Sequence, residues 1–180
     1  MDRETALELV KKNISEENLV KHMKAVEAGM REIASYFNED EEEWGIAGLL
    51  HDLDYEDTKD NPDQHGIKTT EMLKEYDLSK EQLDAIQAHA GQKPAETNME
   101  KAIYAIDPLT GLIVAGALVH PEGLEEMDPD FIKNRYDESS FAKSVDREAI
   151  ASCKELGFEL KDFFDLILKG MQNIQGELGL

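Results

Sequence analysis

Cysteine is almost absent from this 180-residue chain, with Cys153 standing alone. A single thiol excludes an internal disulfide, fits a reducing compartment and is read here as a small core hydrophobe rather than a nucleophile. Basic residues are scarce as well, 19 against 40 acidic ones, for a formal net charge of −21. That balance excludes sequence-independent binding to a nucleic-acid polymer or an anionic membrane, since both need a basic face. Long apolar runs are missing too. The longest, Pro108 to Val119, falls short of the ~18 residues needed to cross a bilayer. The first residues are acidic and amphipathic, without the apolar region of an export signal. A cytoplasmic protein is therefore expected. With 41% hydrophobic residues in 180, the chain can bury one ordinary core, so a single domain over residues 1–180 is expected.

What is present is helical periodicity in nearly every segment, with no convincing strand alternation, repeat or linker. The fold class is all-α. Arg3 to Asn13 carries Leu7, Val10 and Ile14 on one side, and Ser15 is placed to cap the next helix. There Leu19, Met23, Val26, Met30, Ile33 and Phe37 recur at spacings of four and three and define a buried seam, with His22 beside it. Asp40 with Glu43 reads as the capping pair of a helix that carries Trp44 and ends at His51. Pro62 is placed to open a helix whose His65, Thr69, Met72 and Tyr76 share a face. Ser79 with Gln82, and Thr97 with Glu100, form two more capping pairs. The first of these helices ends in the loop His89 to Pro94; the second runs through Ile103, Asp107, Thr110 and Val114, with Pro108 expected to kink it. Gly111, Ala115, Gly116 and Ala117 are expected to admit a close neighbouring helix. Residues 120–144 loosen into a polar connector with Lys133, Arg135 and Lys143, expected to fold over the site. Asp146 caps a helix ending at Gly157, and a last amphipathic helix carries Phe163, Phe164, Ile167, Leu168, Met171 and Ile174.

The run Gly48-Leu49-Leu50-His51-Asp52-Leu53-Asp54-Tyr55 sets an imidazole and a carboxylate side by side at the end of an apolar helical stripe. A carboxylate beside a buried face is costly unless paired, and a divalent cation is its strongest partner. Adjacent helical residues diverge, so His51 and Asp52 reach one ion only where the helix ends or bends. A lone pair of this kind is common by chance. The remaining candidates are His22, His65, His89 and Asp107, each on or beside the inner face of a different helix, giving five helices in all. Asp107 carries the most weight, because an unpaired carboxylate should not persist inside Ala102-Ile103-Tyr104-Ala105-Ile106 and Pro108-Leu109. Imidazole and carboxylate together suit iron, manganese, zinc, cobalt or nickel.

The order His, His-Asp, His, His, Asp is similar to that of the HD superfamily of metal-dependent hydrolases, and His51 through His65-Gly66-Ile67-Lys68-Thr69 to Asp107 looks like its HDIG branch. The stretches Gly48 to Tyr55 and Asp107 to Val114 resemble a group of small bacterial and archaeal predicted HD hydrolases. The resemblance implies an HD-domain helical bundle, with a catalytic core at about 16–118 and C-terminal helices 119–180 packed on it. It implies one metal held by His22, His51, Asp52 and Asp107, and a second held by His65 and His89 and bridged by Asp52. It further implies a phosphohydrolase in which a metal-activated water attacks a small phosphate ester, a nucleotide being the expected substrate. Asp54 is the nearest candidate for a general acid, and Lys68 and Lys93 are candidates for neutralising the phosphate. The chain departs from the pattern in having Leu53-Asp54 where the HDIG branch has Ile-Gly, and in lacking the lysine that often follows. His120 lies after Asp107 and outside the set. Two alternatives use the same ligands: a mixed-valence di-iron oxygenase, and a non-catalytic module that binds a nucleotide or a partner protein. No pattern fixes an oligomeric state.

Overall fold

A computed structural model describes residues 1–180 as helices joined by short turns, with no strand. Helix α1 spans Arg3–Asn13, α2 Glu17–Phe37 and α3 Glu41–Leu50. The one-turn α4 (Tyr55–Thr58) and α5 (Ile67–Met72) flank a 3-10 turn at Pro62–Gln64. Then come α6 (Lys80–His89), α7 (Asn98–Ala117) and α8 (Pro129–Asp137). Helix α9 (Arg147–Ala151) continues as a 3-10 turn to Leu156 before Gly157, and α10 (Leu160–Asn173) and α11 (Gln175–Leu178) finish the chain.

The seam read from the sequence makes α2 the central helix. Met23, Val26, Met30 and Ile33 are fully buried, and α3, α7 and α10 pack around them. Two glycines allow that closeness. A side chain at Gly48 of α3 would meet the α2 backbone at 3.0 Å, and one at Gly170 of α10 would meet the Ala28 carbonyl at 2.9 Å. One apolar cluster runs from Ala25 to Leu178 and joins α2 and α7 to the C-terminal helices. A smaller one gathers Ala6 and Val10 of α1 with Met23, Ile46, Leu49, Leu50, Leu53, Leu73 and Ile86. Cys153 is buried in the larger cluster, where burial pushes its thiol up to about 11, as befits a core hydrophobe. No helix is long and apolar enough to cross a membrane.

The caps follow the sequence closely. Ser79 with Gln82 and Thr97 with Glu100 form reciprocal capping boxes, while Asp40 accepts from the Glu42 and Glu43 amides without a return bond. Three expectations are corrected. Ser15 does not cap α2: its amide and hydroxyl both bond the Glu56 carboxylate, and the N-cap position falls to Glu16. Pro62 opens only a 3-10 turn, since Gly66 at φ 76° breaks the chain direction, and Tyr76 falls outside any helix because α5 ends at Met72. A Cβ at Gly66 would also meet the Ile86 carbonyl at 2.9 Å, so only glycine lets α5 start this close to α6. Third, the connector 120–144 is ordered around α8, which packs on α10 and α7. Two of its three cations are spent locally. Lys133 pairs with Asp137, and Arg135 pairs with Glu138 while lying over Phe131 and Phe141. Arg147 secures the stretch that follows, donating to the carbonyls of Arg135, Tyr136, Glu138, Phe141, Ala142 and Val145.

Candidate metal centre

Helix α3 ends at Leu50, and residues 51–54 turn so that the Leu53 amide reaches the Leu50 carbonyl at 3.2 Å. That ending lets the His51 and Asp52 side chains converge rather than diverge. The six candidate ligands do meet, although not all come from helices. His22 lies in α2, His89 is the last residue of α6 and Asp107 sits within the unbroken α7, but His51-Asp52 is in the turn after α3 and His65 in the break before Gly66. His51, Asp52 and His89 are buried. The side chains of His22 and Asp107 remain 26% and 32% exposed, so the centre opens on their side. The burial expected of Asp107 from its apolar neighbours is thus incomplete.

Asp52 occupies the middle. Its Oδ2 faces His22 Nε2 at 3.6 Å and His51 Nε2 at 3.4 Å, while its Oδ1 faces His65 Nε2 at 3.2 Å and His89 Nε2 at 3.4 Å. Each oxygen addresses one histidine pair. Asp107 Oδ1 closes the first group at 3.0 Å from His22 Nε2 and 3.8 Å from His51 Nε2. Potential ligand atoms of His22, His51 and Asp107, and of His51, Asp52 and His89, lie within 4.8 Å of one another.

Every imidazole is turned inward by a partner at its other nitrogen. The Nδ1–H groups of His51 and His89 donate to the Gly48 and Ile86 carbonyls one turn earlier. That of His65 donates to Asp54 at 2.8 Å. That of His22 meets Thr110 Oγ1 at 3.2 Å, and this hydroxyl in turn donates to the Asp107 carbonyl. Placing the proton on Nδ1 leaves Nε2 a bare lone pair, the tautomer a metal ligand requires. The Nε2 atoms of His22 and His51 stand 3.3 Å apart, and those of His65 and His89 3.1 Å apart. Two lone pairs facing at such distances repel unless a proton or a cation lies between them.

The electrostatics give the same picture. Burial alone would lower His51, but the Asp52 and Asp107 carboxylates raise it to about 8. Burial likewise opposes His65, which Asp52 and Asp54 lift to about 10. His89 goes the other way, lowered by burial and by the neighbouring His51. In the His65–His89 pair, one ring thus holds a proton where a cation would compensate the same carboxylate. Burial opposes ionisation of Asp52, yet His51, His65 and His89 hold it well below the usual carboxylate range. Imidazole and carboxylate donors in this number fit a divalent transition metal and do not resemble an all-oxygen site.

The remaining residues singled out from the sequence lie elsewhere in the chemistry. Asp54 is buried and accepts from His65 Nδ1, the Gly66 amide at 2.8 Å and the Thr69 amide at 2.9 Å. Burial raises it, but these donors outweigh burial and keep it ionised, so it orients His65 and is not a ready proton donor. Lys68 is bound by Asp57 on the surface. Lys93 is held by Asp84 and Glu100 at 3.0 and 2.7 Å and lines a separate cleft of about 280 Å³ with Lys101 and Tyr104 that contains none of the six ligand candidates. Neither lysine neutralises the centre. His120 bonds the Glu122 amide, away from the set. Sequence reasoning assigned no role to Thr110, although its place on the inner stripe of α7, three residues after Asp107, was the available signal. Lys21 has no role in the sequence reading either. Gly111, expected there to admit a close neighbouring helix, has no neighbour nearer than Val145 Cγ2 at 4.0 Å from an added Cβ and instead lines with Lys21 an opening beside His22.

The HD domain family model matches residues 19–128, which hold all six residues. Ribonuclease Y of Oleidesulfovibrio alaskensis is similar, with 24% identity over 145 residues that cover 81% of this chain and 27% of that protein. The chain therefore spans about a quarter of the length of that curated relative. No solved structure matches.

Proposed function

Since the chain belongs to the HD domain family, a superfamily of metal-dependent hydrolases, we propose that it is a metal-dependent phosphohydrolase acting on a small phosphate ester, with a nucleotide as the expected class. The observation that carries this reading is the division of Asp52 between the two histidine pairs. It supports a dinuclear centre, with His22, His51 and Asp107 on one side, His65 and His89 on the other and Asp52 shared. When bound, divalent metal would supply Lewis acidity for activating water and for offsetting charge on the phosphoryl oxygens.

The chain's own residues provide the rest. Gly48, Ile86, Asp54 and Thr110 fix the tautomers and directions of the four rings. Buried His51, Asp52 and His89 form a floor that excludes bulk water, and the half-exposed His22 and Asp107 mark the side from which substrate enters. Helices α2, α3, α6 and α7 hold this array, with residues 16–118 as the catalytic core and 119–180 as its support. The name of the curated relative suggests RNA as substrate. A net charge of −21 weighs against a polymer, whose phosphates would be repelled wherever metal does not offset them.

Elemental analysis of protein purified without a metal-binding tag, paired with phosphate release from a panel of nucleotides and simple monoesters, tests the proposal. Near two transition-metal ions per chain and turnover of at least one monoester are expected. No metal after reconstitution, or iron with oxygen uptake and no phosphate release, overturns it.

A further inference from the structure

Beside the open edge of the centre lies a cleft of about 370 Å³ between α2, α7 and residues 178–180. His22 forms one wall, so the cleft and the metal-facing atoms share a side chain. Asn18 and Lys21 come from the same face of α2, Gly111 and Val114 from one face of α7, and Leu118 from just past its end. Leu118 is 73% exposed at its rim, a conspicuous position for a large apolar side chain in so charged a chain. The volume sits at the small end of the ~300–1,000 Å³ typical of ligand sites.

Gly111 is the informative residue. A glycine inside a helix costs about 1 kcal/mol relative to alanine and usually has a packing reason. Gly116, one and a half turns later, has one, since a Cβ there would meet Met127 at 3.2 Å. At Gly111 the nearest atom to an added Cβ is Val145 Cγ2, at 4.0 Å, so no neighbour demands its absence. What the missing side chain preserves is the open space of the cleft. Lys21 is the single cation of the lining, and its pairing with Glu17 at 3.3 Å involves a partner that is 83% exposed. Such a pair is weak and yields readily to an anion.

We infer that this cleft receives the organic group of a phosphate monoester, with Lys21 and Asn18 near the phosphate end and Gly111, Val114 and Leu118 accommodating a compact, largely apolar group. The inference rests on the phosphohydrolase reading and deepens it by making these residues determinants of substrate size, narrowing the expected class from nucleotides to smaller, less polar monoesters. One cation and one small cleft suit a single phosphate carrying one such group, not a strand of nucleotides.

Binding of phenylphosphonate and methylphosphonate to manganese-loaded protein, followed by titration calorimetry, provides the test. These probes are not hydrolysed and differ only in the organic group. Wild type is expected to bind the phenyl compound about tenfold more tightly. Gly111→Leu, which fills the cleft, should erase that preference with manganese content unchanged. Leu118→Asp, at an exposed position safe for folding, should reduce it severalfold. Equal binding of the two probes by wild type, or a full preference in both variants, overturns the inference. Failure of the parent reading is separate: it shows as absent phosphate release from every ester, whatever the phenyl preference.

Discussion

Asp54→Asn isolates what orientation contributes to the metal centre. The two side chains have nearly the same shape, and the amide oxygen can keep the Gly66 and Thr69 amides that now bond Oδ2 at 2.8 and 2.9 Å. The new NH2 group then faces His65 Nδ1, where Asp54 Oδ1 now accepts at 2.8 Å. A donor facing a donor is untenable, so the His65 proton moves to Nε2, the atom that stands 3.2 Å from Asp52. The loop survives and the ligand is lost. Disturbing a partner of this kind lowers metal affinity about 10–100-fold, or roughly 1.4–2.7 kcal/mol. The loss should fall on the His65–His89 side alone, since His22, His51 and Asp107 are not in contact with Asp54. Calorimetric metal titration should therefore resolve one unchanged and one weakened site, and nitrogen NMR of the imidazoles should show His65 carrying its proton on Nε2. Two unaltered affinities, with His65 still protonated on Nδ1, would refute the reasoning.

Metal binding should strengthen with pH. The metal-free protein holds His51 up to about 8 and His65 up to about 10, so loading near pH 7 releases roughly two protons, measurable by calorimetry in buffers of different ionisation enthalpy; a release of zero contradicts this. The same raised values mean that these rings stabilise the metal-free fold fully below their ordinary value near 6.5, a contribution lost as pH rises through about 8 and then 10, which denaturant titration can follow. Asp107→Ala should empty or weaken the His22–His51 side while shifting the melting temperature of metal-free protein by under roughly 3 °C, because the side chain is 32% exposed; full metal content would sink its assignment. His65→Ala combined with His89→Ala should leave one metal where two are expected of wild type by elemental analysis, and unchanged stoichiometry would end the dinuclear reading.

Much of this fold and site is legible in the sequence, and the boundary of legibility has physical causes. Caps at Ser79 and Thr97 are local hydrogen bonds between residues three apart, so the sequence displays both partners at once. The inner stripes of α2, α6 and α7 follow from a 3.6-residue period, which placed His22, His89 and Asp107 on faces that do meet. Periodicity says which way a side chain faces but not what lies opposite. The sequence therefore offers Ser15 to its own helix, whereas its partner is Glu56, 41 positions on, and offers Lys93 to phosphate, whereas Asp84 and Glu100 hold it. Asp54 reads as a proton donor for the same reason, since three of its donors come from residues 65–69 across a turn, with Thr58 Oγ1 a fourth at 3.4 Å. The break at Gly66 could have been foreseen: a glycine directly after a candidate ligand invites a positive φ, here 76°.

The six carbonyls gathered by Arg147 come from residues 135 to 145, so one guanidinium caps the end of α8 and supplements the sparse backbone bonding of the stretch after it. The hub adds to a few local bonds, from the Phe141 amide to Glu138 and from the Val145 amide to Ala142, and gathers their separate turns around one side chain. Val145, at the end of the tether, is also the nearest neighbour to the empty position at Gly111. Evolution or an engineer thus has a remote handle on the surroundings of Gly111, because loosening the hub at Arg147 changes the freedom of Val145 without altering a single ligand.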